Sequence, residues 1–240
     1  MRLMGLVIHL PRATARRPVA EALRDACGVP CDLLQASDGA ALSAEVLAGA
    51  YRPNLLRPRY PFALRPAEIG CFLSHRAAWQ RLVDSDAEAL ALFEDDMVLD
   101  PAAFAPALAL AQRHVATMGY VQFQTRPVAG ETVDQEAAAR LFRPAVTPLR
   151  ASGQLIHRDC ARHLLELTAP FDRPIDTFVQ MHWHSGIQPG AIYPAGLRDV
   201  AASAGGSTIS QRKSLTDRLA REWKRGRYRA AVRRLSEGAR

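Results

Sequence analysis

Glu94, Asp95 and Asp96 follow directly on the apolar run Ala89-Leu90-Ala91-Leu92-Phe93. Three carboxylates at the carboxyl end of a buried strand repel one another, and they persist there only if a cation or hydrogen-bond donors offset the repulsion. Ligands of open α/β sheets gather beyond the strand carboxyl ends, and hard oxygen ligands in that place suit Mg²⁺ or Mn²⁺ bridging a diphosphate. A solvated acidic turn in which Asp95 or Asp96 caps a helix fits the same three residues, and the motif alone leaves both readings open. Arg12, Arg16 and Arg17 lie just past the first apolar run, where guanidinium groups can grip phosphates bidentately or face solvent from a helix. His75 could donate to a phosphate or a sugar hydroxyl, or be a satisfied partly buried histidine beside Trp79. In His182-Trp183-His184, alternating histidines of an extended segment would point the same way and could supply a metal ligand, with the Trp stacking on a sugar ring.

The elements that must position these groups alternate between strand and helix. A buried strand is predicted over residues 4–10, a helix over 16–27 and a second strand over Leu33 to Ala36. Ser37-Asp38-Gly39 reads as a turn, because Asp bonds its own backbone and Gly accepts positive φ. Four prolines from Tyr51 to Pro66, Pro53, Pro58, Pro61 and Pro66, predict an irregular exposed loop. A helix from Pro66 to Val83 places Gly70, Ser74 and Ala77 or Ala78 on one face and Cys71, His75 and Trp79 on the next. Asp100-Pro101 caps and opens a further helix. Tyr120 to Thr125 and Leu155-Ile156 read as strands, Asp159 as the cap of a helix through Leu167, and Pro174-Ile175-Asp176 as another helix start. This order predicts an α/β fold, with a mainly parallel sheet covered by helices on both faces.

The chain has 240 residues, 48% hydrophobic and 23% charged, enough for one sizeable core. Its net charge of +7 is unevenly placed: residues 211–240 carry +8 and residues 1–210 carry −1. A near-neutral domain over 1–210 is therefore followed by a basic tail over 211–240. Four cysteines, Cys27, Cys31, Cys71 and Cys160, show no zinc-ribbon spacing and fit a reduced cytosolic setting. The apolar run Met4 to Ile8 is too short for a signal-peptide core, although Ala13-Thr14-Ala15 imitates a cleavage site.

Gly70-Cys71-Phe72-Leu73-Ser74-His75 together with Phe93-Glu94-Asp95-Asp96-Met97 resembles the paired signature of glycosyltransferase family 25, the lipopolysaccharide and lipooligosaccharide galactosyltransferases. Further similarity runs through Val7-Ile8-His9-Leu10 with Arg12, Arg16 and Arg17, then Ala36-Ser37-Asp38-Gly39, Pro66 to Cys71, Pro174-Ile175-Asp176 and Gly206-Ser207-Thr208-Ile209. The resemblance covers residues 4–210. It implies a GT-A-like, Rossmann-type fold and an inverting transfer of a sugar, usually galactose from UDP-galactose, to a glycan or glycolipid acceptor. By the same analogy Asp96 would be the main metal ligand for Mn²⁺ or Mg²⁺, with Glu94 and Asp95 holding the metal's water shell or the donor ribose. Arg12, Arg16, Asp38, Gly39, Ser74 and His75 would stand around the donor. An inverting transfer needs a base for the acceptor hydroxyl, and Asp176 is the candidate, an N-cap being its other role. His9, Gln154 and His157 depart from the family's pattern, in which Asn, Tyr and Ser are usual.

In the tail, Leu215, Leu219 and Trp223 recur every four residues among arginines and lysines, and Tyr228, Val232 and Leu235 resume the stripe beyond Gly226, where a break is predicted. Such a helix could lie on an anionic membrane or pack on the domain. One aromatic per helical segment offers little base stacking and argues against nucleic acid. The expectation is a transferase peripheral on the cytoplasmic face of a bacterial inner membrane, acting on lipopolysaccharide, lipooligosaccharide or a related surface glycan. A metal-dependent phosphoesterase or nucleotidyltransferase, and a non-catalytic membrane-peripheral binding protein, are the alternatives.

Overall fold

A computed structural model describes residues 1–200 and 215–239, with side chains in the second segment from residue 220 onward. In chain order the elements are β1 (Leu3–His9), α1 (Arg17–Ala26), β2 (Cys31–Gln35), α2 (Ala44–Ala50), α3 (Pro66–Val83), β3 (Ala89–Glu94), β4 (Met97–Leu99), α4 (Pro101–Met118), β5 (Tyr120–Phe123), β6 (Glu131–Glu136), β7 (Ala139–Arg143), β8 (Gly153–His157), α5 (Arg158–Leu167), α6 (Ile175–Val179), α7 (His182–Ser185), β9 (Gly190–Tyr193), β10 (Leu197–Asp199) and α8 (Leu215–Gly238). The main sheet has eight strands in the order β2-β1-β3-β8-β5-β9-β7-β6. Strands β1, β2, β3, β5, β6 and β9 run one way, and β7 and β8 run against them. The mainly parallel α/β expectation thus holds in strand direction, with β8 wedged antiparallel between β3 and β5.

Period-two alternation divides the core. Leu6 and Ile8 join Leu90 and Leu92 on one face, against Ile69, Phe72 and Trp79 of α3 and Ala161 and Leu164 of α5. Val7 joins Ala89, Ala91 and Phe93 on the other, against Ala20 and Leu23 of α1 and Phe104 and Leu108 of α4. Because β3 is buried on both faces, its residues can be apolar without interruption until the strand leaves the core at Glu94. The Asp100 carboxylate caps α4 by accepting from the Ala102 and Ala103 amides at 3.1 and 3.3 Å. The Glu68 carboxylate returns to the Arg65 amide at 2.8 Å and closes the start of α3.

Three local expectations are corrected. His157, not Asp159, caps α5: its Nδ1 accepts from the Asp159 amide at 3.3 Å. Gly226 does not break α8, which runs through it without interruption; a glycine in a helix flanked by good helix formers lowers its stability without ending it. His182 and His184 lie in the short helix α7, not in an extended segment, so two residues of separation turn them to different sides. The Gly206 to Ile209 match, the start of the tail and the Leu215 and Leu219 side chains lie outside the described residues.

Loop 37–39 and α3 approach so closely that a Cβ on Gly70 would stand 2.5 Å from the Ser37 carbonyl oxygen, and one on Gly39 would stand 1.9 Å from that of Pro66. Gly70→Ala is therefore expected to destabilise the fold by about 2 kcal/mol or more, while Gly49→Ala in α2, which meets nothing within 4 Å, should be neutral or stabilising by up to about 0.5 kcal/mol. Denaturant melts of the two variants check this pair, and equal effects would refute the close approach.

Candidate active site

The parallel order β2-β1-β3 puts three strand carboxyl ends side by side, and the chain departs from each into one cleft of about 280 Å³. From β1 come Leu10, Arg12 and Arg16, from β2 the turn Ser37 to Gly39, from β3 Glu94, Asp95 and Asp96, and from α3 Cys71 and Ser74. The two halves of the signature meet here because each α3 residue has a separate task. Gly70 permits the approach of the turn; the Ser74 hydroxyl accepts from the Ser37 amide at 2.8 Å and donates to the Gly70 carbonyl at 2.7 Å. His75 does not reach the cleft surface. It is fully buried, with Nε2 3.3 Å from Glu94 Oε1 and Nδ1 3.1 Å from the Gln154 amide nitrogen. With Gln154 donating to Nδ1, the ring proton sits on Nε2 and is donated to Glu94.

The three carboxylates differ in how they are offset. Both oxygens of Asp95 are engaged: Oδ2 is 2.8 Å from His9 Nδ1, and Oδ1 accepts from Arg16 at 3.1 Å. Glu94 is burdened by burial, but hydrogen bonds from His75, Ser152 and Cys71 outweigh it and hold its carboxyl below the usual range. Asp96 has the least support. Burial first, then the charges of Glu94, Asp199 and Asp95 against only Arg16, push it up to about 6, and its Oδ1 is buried with no hydrogen-bond partner among the described residues. Asp38 is held on the rim by Arg12, at 2.5 and 3.2 Å, and by the Ala40 amide at 3.0 Å, which together lower its pKa.

A divalent cation fits this arrangement. An orphaned carboxylate oxygen beside an ionised Glu94 is a hard oxygen set of the kind Mn²⁺ or Mg²⁺ takes. Cys71, His75 and Glu94 also lie within 4.8 Å of one another, but burial and Glu94 keep the Cys71 thiol well above its ordinary pKa, and the His75 ring is already shared between Glu94 and Gln154. That trio therefore positions Glu94 and is a poor soft-metal site.

Asp176 lies in the first turn of α6, where Oδ1 accepts from the Thr177 amide at 2.6 Å and its hydroxyl at 3.1 Å. It is not the N-cap, which is Pro174. Burial raises its pKa, Glu94 adds to the rise, and the Thr177 and Arg150 donors oppose it. A raised carboxylate within electrostatic reach of the cleft has the character of a general base. His182 and His184 are turned elsewhere: His182 Nε2 is 3.2 Å from the Ser236 carbonyl of α8, and His184 meets the edge of Phe178.

Sequence reasoning singled out His9 and Gln154 only as departures, yet they clamp Asp95 and His75. It missed Ser152, Asp199 and Arg150. Arg150 adopts φ +87, rare for a residue with a side chain; its amide serves Asp176, and its guanidinium reaches Asp199 at 2.8 Å and Thr125 at 3.1 Å. Nothing in the local sequence signals that conformation.

A carboxylate cleft beyond the parallel strand ends, rimmed by arginines, is the build of a domain that handles nucleotide-activated substrates. The chain belongs to glycosyltransferase family 25: the model of that family, described as an LPS biosynthesis protein, matches residues 4–179. A glycosyltransferase 25 family member of Drosophila pseudoobscura pseudoobscura is 33% identical over 98 residues, which are 40% of this chain and 16% of that protein. Human procollagen galactosyltransferase 2 is 37% identical over 68 residues, 27% of this chain and 11% of that protein. The matched stretch is thus a small part of either relative. Among solved structures, a Drosophila galactosyltransferase in complex with manganese, UDP-Gal and xylobiose aligns over 92% of this chain and 80% of that one, at 11% identity and a TM-score of 0.44.

Removing the Asp96 charge should trade stability against cation binding. Its folded pKa of about 6 exceeds the unfolded value, so the ionised form opposes folding and the opposition fades as pH falls through 6. Asp96→Asn should stabilise the chain by about 2 kcal/mol near pH 7, the gap closing towards pH 4, while Mn²⁺ with UDP raises the melting temperature of wild type and not of the variant. Melts at the two pH values with and without Mn²⁺ and UDP decide this; an equal Mn²⁺ shift in both proteins would show that Asp96 does not hold the ion.

Proposed function

We propose that the chain is an inverting, metal-dependent glycosyltransferase that moves galactose from UDP-galactose to a lipopolysaccharide, a lipooligosaccharide or a related surface glycan. The observation that carries this reading is the buried, unpartnered Oδ1 of Asp96 beside the ionised Glu94 at the carboxyl end of β3. These two residues would hold Mn²⁺ or Mg²⁺, whose charge stabilises a departing nucleoside diphosphate. Arg16 stands ready for the same phosphates: Asp95 orients it from one side, and it lies 3.8 Å from Asp96 on the other. Arg12 and Asp38 form an exposed pair at the rim that a donor's ribose or phosphate would open, with Gly39 and Ser74 fixing the turn beneath it. His75 acts through Glu94 and is a positioning residue. Asp176 takes the proton from the acceptor hydroxyl, its burial bringing its pKa towards that of a useful base. Galactose is favoured because the matched human relative is named a galactosyltransferase.

The tail reading changes shape. One side of α8 packs on the domain through Tyr228, Val232 and Ser236, while Trp223 is 62% exposed with Arg227 stacked on its ring at 4.7 Å. Membrane contact at the cytoplasmic leaflet is therefore assigned to the outward side, through Trp223, Arg227 and Arg234, where each cation contributes about 1 kcal/mol near an anionic surface. No described helix is long and apolar enough to cross a membrane.

A panel of UDP-, GDP- and CMP-sugars with Mn²⁺, read as nucleotide release with and without lipooligosaccharide, tests the transfer. UDP-galactose should give the largest acceptor-dependent release, and Asp176→Asn should lower it about 10²-fold or more with donor affinity kept. Nucleotide turnover indifferent to every acceptor would favour a phosphoesterase instead. In co-sedimentation with phosphatidylglycerol vesicles, the Trp223→Ala, Arg227→Gln, Arg234→Gln triple variant should lose most of the wild-type binding, and undiminished binding would remove the membrane from the account.

A further inference from the structure

A second cleft, of about 350 Å³, opens between α8 and the domain. Thr177 of α6 and Gln180, just after it, line the cleft, which therefore begins one residue from Asp176. The loop before α3 supplies Tyr60 and Phe62, half-buried, and α8 supplies Tyr228, whose ring meets Tyr60 edge-on at 5.5 Å. Along the same flank of α8, Arg225, Arg229 and Arg233 follow at four-residue intervals. Arg225 is spent on Glu222 at 2.5 Å and on the face of Phe62 at 5.7 Å. Arg229 and Arg233 are exposed and form no ion pair with a described residue, and no acid lines the cleft.

We propose that this cleft is the acceptor subsite and that it takes an anionic saccharide, one whose sugar carries a phosphate or a carboxylate. The aromatic and apolar lining suits the carbon face of a sugar ring, while two guanidinium groups at its edge, without an ion-pair partner among the described residues, suit a planar carboxylate or a phosphate bidentately. A neutral glycan would leave both cations without a counter-charge, so the cleft selects for the anion. The location fits the reaction: Thr177 in the lining follows Asp176 directly, and the Asp176 charge is felt by Tyr60 and Tyr228, so a sugar held on α8 by its anionic substituent would present a hydroxyl towards Asp176. The inference rests on the proposed transfer only in naming the bound sugar an acceptor; the anion preference follows from the cleft itself.

Isothermal titration of the full chain with galactose, galactose 6-phosphate, galacturonic acid and inorganic phosphate, with UDP and Mn²⁺ titrated in parallel, tests the inference. Both anionic sugars should bind about tenfold or more tighter than galactose and than inorganic phosphate. Arg229→Gln with Arg233→Gln should reduce them to the level of galactose, at an unchanged melting temperature and unchanged UDP affinity, and lysine at both positions should restore part of the loss. Equal binding of galactose and the anionic sugars, or a double variant that binds them as wild type does, overturns the proposal. So does a double variant that loses only phosphatidylglycerol vesicles, because its arginines then serve the membrane. Failure of UDP to bind while the arginine-dependent preference persists would instead count against the transferase reading and leave the anionic subsite standing.

Discussion

Everything around the site answers one electrostatic constraint, three adjacent carboxylates released at the end of a strand whose preceding residues are buried on both faces. Water cannot fully solvate charges at that depth, so the fold must supply donors, and it supplies a different set to each. Asp95 draws in His9 from the end of β1 and Arg16 from the turn ahead of α1. Glu94 draws on His75 of α3, itself held by Gln154 of the neighbouring strand β8, and on Ser152 just ahead of that strand. Asp96, last in line, receives only a distant arginine and faces Asp199, brought near by the β4–β10 ribbon. The incomplete compensation is localised on one oxygen of one residue, Oδ1 of Asp96, which is where the proposed cation would find a ligand.

A second buried charge organises the other side. Asp172 and Arg173 are both wholly buried and joined at 2.7 Å. Such a pair is stable only when its remaining donors and acceptors are satisfied. Here Asp172 accepts from the Leu56 amide, and Arg173 donates to the Leu56 and Pro58 carbonyls and to the Tyr228 hydroxyl. One ion pair thereby fixes the proline-rich loop, the start of α6 and the middle of α8 relative to one another. The loop needs that anchor because its prolines remove the donors that a sheet or helix would use. Asp176 and both walls of the second cleft inherit their placement from it.

Features set by local chemistry were legible in the sequence. The Asp38 turn, the Asp100 cap, the span of α3 and the buried run of β3 each follow from residues within a few positions of one another, although Gly39 does not take the expected positive φ and is needed instead for its close approach to Pro66. The pairing of the two signature halves was legible only through the family resemblance, since residues 70–75 and 93–97 carry no local signal that they meet. Contacts made across long separations were not. The antiparallel insertion of β8 depends on a return path that no dipeptide announces, and the ribbon bringing Asp199 to Asp96 joins segments about a hundred residues apart. Trp223 shows the limit of periodicity: four-residue spacing placed it on a stripe with Leu219, yet the packed side of α8 follows Tyr228, Val232 and Ser236, and Trp223 faces solvent. A helix that is basic nearly all round offers more than one possible seam, and the domain surface chooses among them.

The split of charge along the chain becomes a split in space. Residues 1–210 sum to −1 and residues 211–240 to +8, but α8 packs on the domain so that its cations border the second cleft and not the carboxylates' own. Asp176 feels Glu94 of the acidic cleft and is followed by Thr177, which lines the basic one. Arg229 and Arg233 have no ion-pair partner among the described residues, and no acidic residue lines their cleft. Under the proposed transfer, two clefts of opposite sign with a raised carboxylate next to one of them suit two charged participants: a nucleoside diphosphate held through a cation in the acidic cleft, and an anionic sugar held by guanidinium groups in the basic one, with Asp176 receiving the proton.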